Sequence, residues 1–73
     1  MGCGYNQARL EDQAISLVRE AYMDDLGCAW VIANMDAFTA GHGSTVASHG
    51  RFLVTCFMDD NGELTRDGAD EVL

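Results

Sequence analysis

The chain has 73 residues, 48% of them hydrophobic, and a formal net charge of −8, from twelve acidic residues against four arginines and no lysine. Its length bounds it to a single domain over 1–73, whose core supplies about 3–5 kcal/mol of net stability, and its apolar fraction argues against intrinsic disorder. The acidity disfavours direct binding to nucleic acid, whose phosphates it repels, and favours basic protein surfaces; the longest apolar runs, such as 52–58, are far too short to span a membrane.

The amino terminus, MGCGYN, places Asn6 where the myristoylation pattern requires Ser or Thr, so residues 1–5 read as a flexible tail. From there Asn6 is a good N-cap. Leu10, Ala14, Leu17, Val18, Ala21 and Tyr22 then recur at helical spacing, which predicts an amphipathic helix over about 7–25 with Gly27 as its stop. Its outer face carries Glu11, Asp12, Arg19, Glu20 and Asp24. Asp24 and Asp25 stand near the carboxyl end, where the helix dipole disfavours negative charge, so local stability did not select them.

The stretch CAWVIANMDAFTAG supports two readings. Trp30, Val31 and Ile32 favour a strand, while Ala29, Ala33, Met35 and Ala37 suit a short helix equally well; the strand is the preferred reading. On either reading Gly41 and Gly43 end the element and leave His42 in a loop. Next, STVAS and RFLVTCFM are β-rich runs separated by His49-Gly50, two residues that tolerate positive φ, which predicts a hairpin. Phe52, Val54, Cys56 and Met58 would share one face of its longer strand and Leu53, Thr55 and Phe57 the other, joined by Val46. The second face either lies under a second helix or is open to a partner. The expected fold is therefore α+β: one N-terminal amphipathic helix packed on a small antiparallel sheet, with residues 29–40 as the candidate second helix.

In MDDNGELTRDGADEVL, Asn61-Gly62 marks a turn, Glu63 to Thr65 is a candidate return strand, and Thr65 is placed to cap a last helix through Val72. The acidic run does not fit a calcium loop. With Gly62 at the sixth loop position Phe57 would occupy the first, and with Gly68 there the twelfth would lie past Leu73.

Cys3, Cys28 and Cys56 contain no C-x-x-C pair, so reduced thiols are expected and neither a disulfide framework nor a zinc knuckle is indicated; a tertiary zinc site from these cysteines with His42 and His49 is stereochemically conceivable, but burial of Cys28 and Cys56 as small hydrophobes is the preferred reading. No metal or cofactor is expected. Ser44 and Ser48 lack a local nucleophile–base motif, and neither a phosphate-binding loop nor paired catalytic carboxylates appear, which argues against an enzyme.

Over the whole chain, in size, acidity and α+β texture, the sequence resembles the small host-takeover proteins of bacteriophages. Among them it is similar to transcription regulators of the Xanthomonas phage type, which bind host RNA polymerase, inhibit initiation and promote antitermination. The resemblance carries no motif and so no residue-by-residue correspondence. It implies a stoichiometric binder of RNA polymerase in the bacterial cytoplasm. The partner-binding residues expected from charge and exposure are Glu20, Asp24 and Asp25, with Tyr5, Arg9, Leu53 and Phe57 adding contacts that charge alone cannot make specific. Two alternatives stand beside this reading. One is a nucleic-acid mimic that inhibits a defence enzyme; the other is a structural module that forms a homodimer through Val46, Leu53 and Phe57.

Overall fold

A computed structural model describes residues 7–41 and 43–73. Among these residues the chain forms four helices and no sheet: α1 (Gln7–Met23), α2 (Cys28–Thr39), α3 (Ser44–Phe57) and α4 (Arg66–Val72). The expected α+β fold is thereby corrected to an all-helical one. The tail proposed for residues 1–5, with Tyr5 and the Asn6 cap, lies outside the described residues, as does His42.

Helix α1 lies where its periodicity places it. Leu10, Ala14, Val18 and Ala21 are buried, and Ile15 and Leu17 pack beside them at the edge of the core. Its stop differs from expectation. Asp25 takes the left-handed conformation, φ 59°, and the Leu26 amide donates to the Ala21 carbonyl at 2.8 Å, the long-range bond of a Schellman closure. Gly27 instead starts α2, where its carbonyl accepts from the amides of Trp30 and Val31.

Residues 28–39, expected as strand, are helical. Cys28, Val31, Met35 and Thr39 recur at intervals of three or four residues and are buried. Thr39, the last residue of α2, is the buried polar residue of this face, and its hydroxyl donates back to the Met35 carbonyl at 2.9 Å, as a helical threonine can. The connection to α3 spans residues 40–43 and needs Gly41 (φ 93°) and Gly43 (φ 98°), conformations costly for any residue with a Cβ.

The predicted hairpin is the largest correction. His49 and Gly50 sit inside α3, and the side chains that were to alternate across a sheet follow a helical stripe instead: Val46, Gly50, Val54 and Phe57 are buried. Gly50 is there for close approach. A Cβ at that position would fall 2.9 Å from Met35 Cγ of α2. An isolated two-stranded hairpin is only marginally stable, whereas a helix with this stripe packs on both α1 and α2.

After α3 the Asn61-Gly62 turn forms as read, with Gly62 at φ 84°, but the return strand shrinks to one bridge between Met58 and Leu64. Thr65 does cap α4. Its hydroxyl accepts from the Gly68 amide at 3.0 Å and donates to the Cys56 carbonyl at 2.6 Å, while its own amide donates to the Phe57 carbonyl at 3.0 Å. One residue thus satisfies an orphan donor of α4 and orphan acceptors of α3. Helix α4 packs on α1 and α3 and not on α2. The core, centred on Val18, Val31, Met35, Val54, Met58 and Val72, draws on all four helices and the residue after α3.

Candidate functional site

The sequence places acids at two separate points, after α1 and after α3, and the fold brings these points together. Gly62 lies so close to the α1–α2 turn that a Cβ on it would stand 3.1 Å from Gly27 Cα and 3.4 Å from the Cys28 nitrogen. Asp24 and Asp25 in that turn are therefore neighbours of the segment carrying Asp59, Asp60 and Glu63. The carboxylates do not share one role. Asp59 Oδ1 accepts from the amides of Asn61 and Glu63, at 3.0 and 2.9 Å, and so shapes the turn. Asp24, Asp25, Asp60 and Glu63 are exposed.

Between this end of α1, the 59–63 turn and α4 lies a groove of about 440 Å³. Ala21, Leu26, Leu64 and Ala69, all at least half-buried, give it an apolar floor. Tyr22 (47% exposed) and Leu73 (74% exposed) flank it, and Asp25 and Glu63 are its charged lining residues. Arg19 fixes the far side of α4: its Nε donates to the Val72 carbonyl at 2.9 Å, supplying a donor to the end of a helix that has no basic residue in its own last turn.

The charge is segregated across the molecule. All but one of the twelve acidic residues belong to α1, α4 and the two connections just described. The exception, Asp36 of α2, is paired with Arg51 of α3 at 2.5 Å. The α2–α3 pair is consequently close to neutral.

The site residues expected from sequence separate into three groups. Glu20, Asp24 and Asp25 are exposed at the acidic end, as placed. Arg9 is exposed on the first turns of α1, roughly 16 Å along the helix from Glu20, beside a second hollow of about 240 Å³ that includes Asp12, Leu17 and the exposed Phe38. Phe57 is buried in the core and Leu53 is half-buried against it, so the sticky sheet face they were to share does not exist. Tyr5 lies outside the described residues. Sequence reasoning missed Glu63, Leu64 and Leu73 as neighbours of Asp25. The available signal was Leu26, a hydrophobic residue just beyond a helix end, which marks a Schellman closure and hence a sharp reversal at Asp25.

Cys28 opens α2 beneath the acidic end. Burial, and then the negative charges of Asp60 and Asp59, push its thiol pKa up, which keeps it protonated and unreactive at neutral pH. Cys56 is a half-buried free thiol in α3. Among the described residues no group of three His, Cys, Asp or Glu side chains is disposed to hold a metal ion, and no helix is long and apolar enough to cross a membrane. His49 sits half-buried on α3 and not in a turn.

Comparison with known proteins leaves the geometry to speak alone: no family model, no curated protein and no solved structure matches the chain.

Proposed function

We propose that this protein acts by stoichiometric binding, docking its acidic side on a basic surface of a larger protein assembly. The observation that carries the reading is the segregation of charge: eleven carboxylates fall on α1, α4 and two adjoining connections, while the α2–α3 pair carries a single neutralised acid. Charge that served solubility alone would need no such sorting. A surface of this sign is attracted to protein regions that themselves hold nucleic acid, because those regions are basic. Bacterial RNA polymerase is such an assembly and is the partner that the resemblance to phage regulators implies, with inhibition of initiation and antitermination in the bacterial cytoplasm as the outcome.

The test is binding of the full chain to purified RNA polymerase across a salt series, with a promoter-initiation assay. Glu20→Arg combined with Asp24→Arg reverses charge at the end of α1 while complementing the helix dipole, so the variant folds. The expected result is salt-sensitive binding that falls at least tenfold in the variant, since complementary charge governs encounter and register. Equal binding by variant and native chain would move the interface away from the acidic end. Capture of a nuclease or methylase complex, with no affinity for polymerase, would replace transcription by inhibition of a defence enzyme.

A further inference from the structure

The groove at the acidic end has a more specific chemistry than its charge. We propose that it receives a single arginine side chain from the partner protein, with the guanidinium held by Asp25 and Glu63 and stacked on the ring of Tyr22. The inference rests on the docking reading above and narrows it from a surface to an anchor.

Charge complementarity distinguishes this groove from two other hollows of the molecule. The hollow beside Asp12 contains a cation of its own, Arg9, and the one beside Asp36 contains Arg51, already paired with that carboxylate. The groove between α1 and α4 is lined by two carboxylates and no cation. Arg19, though it bonds the Val72 carbonyl nearby, is not among the lining residues. Both carboxylates are exposed and neither has an ion-pair partner among the described residues.

The occupant must therefore bring positive charge, and the rest of the lining selects its shape. Leu26 and Leu64 offer apolar surface to an aliphatic stem, which long basic side chains bury while keeping the charged head outside. The half-exposed Tyr22 presents an aromatic ring beside the acids. A planar guanidinium can stack on such a ring and fork to two carboxylates at once, whereas a lysine ammonium is a hydrated point charge that gains less from either contact. The open groove, about 440 Å³, has room for such a side chain.

Asp25 stands at the rim of this groove. It is the one described non-glycine residue with positive φ, and its charge stands at a helix carboxyl end, where the dipole opposes it. Asparagine or glycine would close α1 better on both counts.

The experiment is titration of the full, isotope-labelled chain with acetyl-Gly-Arg-Gly-amide, followed by backbone amide shifts, beside the same peptide carrying citrulline or lysine. The arginine probe should give saturable shifts at Tyr22, Leu26, Gly62 and Leu64, the lysine probe at least threefold weaker binding, and the citrulline probe none. Asp25→Asn with Glu63→Gln should weaken arginine binding at least fivefold. Glu11→Gln with Asp12→Asn removes the same charge about 15 Å or more away along α1, beyond a Debye length of about 8 Å, and should change it less than twofold. Equal losses in the two double variants, shifts spread over the whole acidic surface, or lysine binding as well as arginine would each overturn the anchor. None of these outcomes touches salt-sensitive docking on polymerase, which Glu20→Arg with Asp24→Arg tests separately.

Discussion

Between Cys28 and Phe57 the chain carries one acidic residue; in the α1–α2 turn and from Asp59 to Leu73 it carries eight. The first region is two helices facing each other, where Gly50 lets Met35 approach and Thr39 folds its hydroxyl back onto its own helix. The second is two tight connections and a seven-residue helix held by particular hydrogen bonds. A region stabilised by side-chain packing adjusts when one side chain changes. A region stabilised by backbone contacts and caps has little to adjust, and it is in this second region that the acids and the groove are found.

The same substitution in both regions would sharpen this contrast most. Gly68→Ala would place a Cβ 1.9 Å from the Phe57 carbonyl oxygen, a backbone atom that cannot step aside, so α4 must leave its seat. The expected loss is about 3 kcal/mol or more, most of what a domain of this size has, read as collapse of the urea midpoint. Gly50→Ala meets the flexible Met35 side chain at 2.9 Å, and the cost of moving it is offset by alanine's helix propensity. The net change there should stay below about 1 kcal/mol. Equal losses at the two glycines would break the comparison.

Thr65→Ala comes next. It removes the α4 cap and leaves the Cys56 carbonyl without its hydroxyl donor, for an expected loss of about 1–2 kcal/mol. Amide exchange should rise through α4 while α2 keeps its protection; uniform exchange would show that α4 does not open separately. Asp25→Gly should act in the opposite direction, stabilising by roughly 0.5–1 kcal/mol through relief of the left-handed conformation and of the dipole clash, while weakening capture of the arginine probe. A variant that gains stability and keeps full affinity would remove Asp25 from the groove's function.

The smallest effect is a slope. The folded state raises the Cys28 pKa, so above the ordinary thiol value of about 8.5 the unfolded chain loses this proton while the folded chain retains it, and stability falls as pH rises. Below that value the group contributes no slope. Cys28→Ala should flatten the alkaline limb of a stability–pH curve, and an unchanged limb would assign it to other groups.

Much of this molecule is written locally. The stripe Leu10, Ala14, Val18, Ala21 has a single reading because a period near 3.6 sustained over about three turns presents the same face each time. The Asn61-Gly62 turn and the Thr65 cap are equally local, since each depends on the chemistry of a few neighbouring residues. The acidic end of α1 was likewise legible from charge alone, through Glu20, Asp24 and Asp25.

What only the tertiary structure decided is the state of residues 28–57 and the company of Asp25. Trp30, Val31 and Ile32, and later Phe52 to Phe57, have the β-branched and aromatic character of strands, but strand preference is chiefly a preference for partners on a pleated surface, and no partner strand exists among the described residues. Both segments bury a helical stripe against α1 and each other, and Gly50, which reads locally as a turn residue, becomes a point of close approach between α2 and α3. The groove is hidden from the sequence for a related reason: Asp25 and Glu63 line one groove where Gly62 seats against Gly27, a close approach of distant backbone atoms for which no local pattern codes.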